Sequence, residues 1–247
     1  MPCNIGRSLR WYNNYKSEIA FSESNGFGFM QIWFGGGKLL IDNIEEPIER
    51  YLASFNYPLI IHAIMEVDEI PLYDEKLLEI LKYFGHNEVI IHPVSSPDKP
   101  ITEKTIYELS ENIKKINIKL KNNGIKLFAE NNSRQTNLNY SPDDIKIFFA
   151  ENPGVELLLD IAHIDSYDHL QEIINIKYPG MLHISDKHFS VGHEHLPVGS
   201  GDLDFELIFS KYLCGFSGKI ILEIPEEDAV IIDSLAKIRK ALKCGEQ

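Results

Sequence analysis

The sequence predicts a single-domain (β/α)8 TIM barrel over residues 1–247, and three observations predict it. The chain has 247 residues, and one such barrel typically has roughly 250. Short β-rich apolar runs alternate with amphipathic stretches from end to end, the pattern of a parallel sheet covered by helices. The runs number eight: Cys3–Ile5, Phe27–Phe34, Pro58–Met65, Glu88–Pro93, Ile125–Asn131, Val155–His163, Gly180–Asp186 and Lys219–Pro225. Runs such as Val155-Glu156-Leu157-Leu158-Leu159 are apolar on both faces, as barrel strands are, although an open doubly wound sheet accommodates them almost as well. No linker, low-complexity tract or internal repeat divides the sequence, so one domain is the economical reading.

Between the runs, apolar residues recur at helical spacing. The first such segment, Trp11–Ser24, has scattered polar residues and a poor stripe. Ile106, Leu109, Ile113, Ile116 and Leu120 share one helix face, as do Ile231, Leu235, Ile238 and Leu242. In Ser141-Pro142-Asp143-Asp144 a serine cap precedes proline at the first helical position and two acids near the positive helix end. Gly85, Gly124 and Gly180 sit shortly before strands, where helices stop.

An apolar share of 44% with 25% charged residues is a globular composition and excludes global disorder. The net charge of −13 excludes long-range attraction of the whole molecule for nucleic acid or anionic lipid, leaving only local patches. Lys114, Lys115, Lys119, Lys121 and Lys126 read as the solvated face of one helix and its end rather than such a patch. Cys3, Cys214 and Cys244 are odd in number with no C-x-x-C pairing, which argues against a disulfide framework and for a reducing compartment. The opening stretch lacks an apolar signal core and no apolar run reaches the ~18 residues of a membrane span. The expectation is a cytoplasmic protein without a membrane partner.

A barrel of this kind delivers the C-terminal end of every strand to one rim. Those ends carry His62, His92, Glu130, Asp160 with His163, His183 with Asp186, and Glu223, while the segment Gly192–Gly201 adds His193 and His195. Each residue alone has a plainer reading, as a hydrogen-bonded rim histidine or a capping carboxylate. Crowded at one mouth, such groups are costly unless a cation sits among them. His193 and His195 are two apart, so an extended segment turns both the same way. Mixed imidazole and carboxylate ligation suits Zn2+, Mn2+ or Fe2+ better than Mg2+.

The set Glu130, Asp160-x-x-His163, His183-x-x-Asp186, His195-x-x-x-Gly199-x-Gly201 and Glu223 resembles the xylose-isomerase-like barrel superfamily. This superfamily contains sugar-phosphate isomerases and epimerases and the endonuclease IV class of abasic-site endonucleases. The resemblance covers essentially the whole chain and is most specific from His183 to Phe205. In the isomerase and epimerase branch it implies one divalent ion, Zn2+ or Mn2+, on Glu130, Asp160, His183 and Glu223. The two glutamates move protons there through an enediolate. In the endonuclease branch it implies three zinc ions: His62 and His92 with Glu130 on the first, Glu130 bridging to Asp160, His183 and Glu223 on the second, and His163, His193 and His195 on the third.

The sequence departs from the endonuclease pattern. His193 replaces an aspartate, Ala63-Ile64-Met65 follows His62 without the Pro-Tyr set against DNA, and Asn131-Asn132-Ser133 follows Glu130 without Thr-Ala-Gly. The expected function is therefore a metal-dependent isomerase or epimerase of a small sugar or sugar phosphate. The rivals are a multi-zinc phosphodiesterase cutting abasic-site DNA, the one reading with a nucleic-acid partner, and an inactive ligand-binding barrel. Arg134, Lys187 and Lys38 are candidate phosphate contacts. For Lys38 in Gly35-Gly36-Gly37-Lys38 a flexible loop is the stronger reading. Asp186 is assigned to support of a ligand or to a substrate hydroxyl.

Overall fold

The computed structural model describes residues 3–40, 52, 54, 56–96 and 99–244. The strands are β1 (Asn4–Ser8), β2 (Met30–Gly35), β3 (Lys38–Leu39), β4 (Leu59–Glu66), β5 (Glu88–Val94), β6 (Lys126–Glu130), β7 (Glu156–Asp160), β8 (Met181–Ile184) and β9 (Lys219–Leu222). All but β3 run parallel, in the order β1-β9-β8-β7-β6-β5-β4-β2, and pairing of β1 with β2 closes the ring. This is a (β/α)8 barrel. The helices around it are α1 (Tyr15–Ser24), α2 (Ile70–Phe84), α3 (Glu103–Asn122), α4 (Pro142–Glu151), α5 (Tyr167–Ile176), the short α6 (Phe205–Leu207) and α7 (Asp228–Cys244). Among the described residues no helix is long and apolar enough to cross a membrane.

The expected stripes of α3 and α7 pack inward: Ile106, Leu109, Ile113, Ile116 and Leu120 are buried, as are Ile231, Leu235 and Ile238. Ser141 caps α4 by accepting the amide of Asp144 at 3.1 Å. Gly85, at φ 65°, stops α2. Gly180 plays a different part from the helix stop expected of it. The helix before it ends at Ile176, and a Cβ at Gly180 would lie 3.0 Å from the Phe128 ring.

Three differences from the sequence reading matter for the site. β1 continues through Gly6, Arg7 and Ser8, whose polarity conceals a strand. β7 ends at Asp160, and Ile161–His163 forms a 3-10 turn in which Asp160 Oδ1 accepts the amide of Ala162 at 2.7 Å. Gly36 and Gly37, at φ 56° and 77°, make the tight turn of the β2–β3 hairpin, so Gly35–Lys38 is neither a flexible loop nor an anion cradle.

Inside the barrel, Phe29, Ile60, Ile90, Phe128, Leu158, Met181 and Ile221 form an apolar cluster separate from the main core. They fill the barrel from strand to strand and make a dry floor.

Candidate metal centre

Side chains two apart on a strand share a face. Two residues beyond the apolar floor, the same strands carry His62 after Ile60, His92 after Ile90, Glu130 after Phe128, Asp160 after Leu158, His183 after Met181 and Glu223 after Ile221. The polar layer therefore lies on the floor at the C-terminal end of the barrel. Three groups of ligand atoms result, each with all its atoms within 4.8 Å of one another: Glu130, Asp160, His183 and Glu223; His62, His92 and Glu130; and His163, His193 and His195.

Glu130 is the junction. Its Oε2 lies 2.8 Å from His62 Nε2 and 3.3 Å from His92 Nδ1, and its Oε1 lies 3.2 Å from His183 Nδ1. His183 Nδ1 is also 2.9 Å from Glu223 Oε2 and 3.8 Å from Asp160 Oδ2. The His163 ring sits 5.1 Å from that of His193 and 5.6 Å from that of His195. Four buried atoms here, His62 Nε2, Glu130 Oε2, Asp160 Oδ2 and His163 Nε2, complete no hydrogen bond. Buried polar atoms left so are costly, and the convergence of imidazole and carboxylate lone pairs fits a divalent cation such as Zn2+ or Mn2+.

The electrostatics agree with this fit. Burial pushes the Glu130 carboxyl up, but His92, His183 and His62 outweigh it and hold it well below the usual carboxylate range. Against its own burial, Glu223 is held at about 2 by His183 and His195. Asp160 is pushed up to about 7, because burial and the charges of Glu130 and Glu223 prevail over His195 and His183. Burial lowers the proton affinity of His62, His92 and His163, and burial with the neighbouring imidazoles takes His193 to about 4, which favours giving up a proton and offering a lone pair to a metal. His183 moves the other way. Despite burial, Glu223 and Glu130 raise it well above the ordinary value, so a proton there supplies the positive charge that a cation would supply.

A second layer orients the rings. Asn132 Nδ2 donates to the Pro93 carbonyl at 2.6 Å, which turns its Oδ1 to His92 Nε2 at 2.7 Å. The Asn131 carbonyl lies 2.8 Å from His163 Nδ1, leaving Nε2 for a ligand role. Gln31 lies between His62 and His183, and Ser8 supports it. Sequence reading missed Gln31 and Ser8. The signal was available: Gln31 stands two residues beyond Phe29, in the same register as every strand ligand.

The other sequence candidates lie differently. The carboxylate of Asp186 is taken up by the amides of Lys187, Gly199 and Leu203, which makes it a loop anchor rather than a partner for a substrate hydroxyl. Lys187 is fully buried and donates to the Ile164 carbonyl at 2.9 Å, so its amine is not presented to a phosphate. Arg134 spends its guanidinium on the carbonyls of Phe189 and Ser190, at 3.3 and 2.9 Å, with Asp165 3.8 Å away. Lys38 is exposed at the start of β3, outside all three ligand groups. A groove of about 190 Å3 lined by Trp11, Tyr12, Trp33, His195 and Glu223 opens beside the ligands. A larger cleft of about 590 Å3, lined by Asn4, Gly28 and Phe216, lies at the opposite, N-terminal end of the strands and contains none of the ligands.

The model of the xylose isomerase-like TIM barrel family matches residues 73–244. The chain belongs to this family. No curated protein matches it. Among solved structures, the xylose isomerase-like chain is similar to an L-ribulose 3-epimerase, with 14% identity, 99% of this chain and 96% of that chain covered and a TM-score of 0.77. It is also similar to an IOLI protein with a zinc atom, with 15% identity, 96% of each chain covered and a TM-score of 0.73. A third is an AP endonuclease, family 2, from Brucella melitensis, with 17% identity, 94% of this chain and 97% of that chain covered and a TM-score of 0.69. At these identities the likeness establishes the fold that this xylose isomerase-like chain shares with them.

Proposed function

We propose that the protein is a divalent-metal-dependent isomerase or epimerase of a small sugar or sugar phosphate, with Glu130 and Glu223 moving the protons. The observation that carries this is the pair of glutamates, delivered by β6 and by the end of β9, that both meet His183 Nδ1, at 3.2 and 2.9 Å. Glu130, Asp160, His183 and Glu223 would hold a Zn2+ or Mn2+ ion, which when bound polarises a carbonyl and the neighbouring hydroxyl. The neighbouring imidazoles keep both glutamates ionised at neutral pH, so either can take a proton from carbon and, once protonated, return it to the neighbouring carbon. The apolar floor closes the site below and keeps bulk water out. The adjoining groove, at about 190 Å3, is below the roughly 300–1,000 Å3 of drug-sized pockets and suits a small polyhydroxylated substrate. Epimerases among the structural neighbours support this reading. A reducing, cytoplasmic setting goes with this reading, on the odd number of cysteines without C-x-x-C pairing.

The second reading, a three-zinc phosphodiesterase acting on abasic-site DNA, is favoured by one specific observation: the groups His62–His92–Glu130 and His163–His193–His195 are both assembled. Against it stand the net charge of −13 and a third group of three neutral ligands. Metal analysis paired with two assays separates the readings. Deuterium exchange from solvent into a ketose, with one ion per chain, supports the isomerase. Cutting of abasic-site DNA with about three zinc ions per chain overturns it. A chain that retains no metal would instead be an inactive binding barrel.

A further inference from the structure

The side chain of Gln31, fully buried, touches two ligand imidazoles at once. His183 turns Nδ1 toward Glu130 and Glu223, so as a ligand its proton resides on Nε2, which needs an acceptor. Gln31 Oε1 lies 2.8 Å from that nitrogen. His62 turns Nε2 toward Glu130, so as a ligand it would carry its proton on Nδ1. That nitrogen faces Gln31 Nε2 at 3.2 Å, an amide nitrogen already donating to Ser8 Oγ at 2.7 Å. A primary amide has one acceptor oxygen and one donor nitrogen. Turning the amide over serves His62 and denies His183, so in either orientation one of the two rings, if both were ligands, would face N–H with N–H.

We propose that Gln31 makes ion binding at the two adjoining groups antagonistic. When the group of Glu130, Asp160, His183 and Glu223 is filled, Gln31 holds His62 in the tautomer with its proton on Nε2, and His62–His92–Glu130 takes a second ion weakly. In that tautomer the proton lies beside Glu130 Oε2, 2.8 Å from His62 Nε2, on the side of the ring where a second ion would bind. A buried N–H left facing another donor weakens the second ion by about 10- to 100-fold. The inference rests on His183 serving the first-filled group, as in the proposed function, and not on the reaction performed there.

The test uses the full chain and zinc alone. In histidine-15N-labelled protein with one equivalent of zinc, long-range 15N–1H correlations should find His62 protonated at Nε2; protonation at Nδ1 overturns the proposal. Zinc titration against a competing chelator should resolve a strong equivalent and a weaker one that is lost in His62→Phe. Gln31→Glu offers two acceptors to the two rings. Its added charge touches both and strengthens both, so the ratio of the two dissociation constants reports the acceptor count. That ratio should contract about tenfold or more, and His62→Phe in the Gln31→Glu background should remove the recovered equivalent. An unchanged ratio overturns the coupling. Two equally tight equivalents in the wild type, both requiring ligands of these groups, also overturn it while leaving an observed epimerase activity intact. Absence of that activity with the tautomer and the ratio as expected removes the functional reading alone.

Discussion

The carboxylate of Asp186 accepts the backbone amide of Gly199 at 2.8 Å and so closes the base of the loop that carries His193 and His195. The same carboxylate takes the amides of Lys187 at 2.8 Å and Leu203 at 3.2 Å, while the backbone of Asp186 pairs with Leu196. Gly199 sits at φ 83°, and a Cβ on Gly201 would lie 2.3 Å from the Lys187 carbonyl oxygen. The Gly-x-Gly spacing is thus the space this anchor requires. Asp186→Ala orphans these amides, at about 1–3 kcal/mol for each that stays buried. A lower denaturation midpoint and loss of zinc capacity at His163–His193–His195 are expected together. A variant of unchanged stability would refute the anchoring role.

Glu130 belongs to two ligand groups, whereas His92 belongs to one. Glu130→Gln should lower turnover at least about 100-fold, the scale of a general base, before any loss of metal is counted. His92→Ala should cost much less if one ion does the work. Steady-state rates beside metal content for the two variants decide this, and equal losses would favour the multi-zinc reading.

Helix α1 is held by charge as well as by the apolar packing of Tyr15 and Ile19. Glu18, wholly buried, pairs with Arg7 and lies 2.6 Å from Arg10 Nη2, with the Ser22 hydroxyl completing the shell around Arg7. Burial opposes ionisation of Glu18, yet Arg10 and Arg7 hold its carboxyl below the ordinary value. Glu18→Gln leaves the buried Arg7 without its counter-charge and Arg10 with Asp228 alone, and should destabilise the fold by about 3–5 kcal/mol, read from urea unfolding.

The same network explains why parts of the fold were hard to read in the sequence. Seven of the eight barrel strands, the start of β1 and the stripes of α3 and α7 announced themselves through apolar patterning. In Trp11–Ser24, by contrast, the inward face includes Glu18 and Ser22, and β1 buries Arg7, so hydrophobic patterning missed what ion pairing built. The ligands were legible because histidines and carboxylates are conspicuous at strand ends. Gln31 and Ser8 are as well placed but have no such chemical mark. Arg134 and Lys187 lie close to Glu130 and Asp186 in sequence, yet nearness along the chain does not determine where a long side chain points, and both are occupied by carbonyls of neighbouring loops.

His86, between α2 and β5, stacks on Phe84 with ring centroids 5.2 Å apart, and burial, then Lys219, depresses it to about 4 from 6.5. Between those values the unfolded chain binds a proton that the folded one refuses. Stability should therefore fall as pH drops from 6.5 toward 4, by up to about 1.4 kcal/mol per pH unit from this residue, and level off below. Unfolding measured across that window should show a shallower decline for His86→Phe. Parallel curves for variant and wild type would assign the acid sensitivity elsewhere.

Lys187 has its amine sealed under the rim against the Ile164 carbonyl, and burial lowers its proton affinity. An acylating reagent can reach this nitrogen only when the loop lifts from the barrel. Mass-spectrometric labelling of Lys187 over time thus works as a clock for breathing at the mouth, and a bound ion or substrate analogue that steadies the loop should slow it.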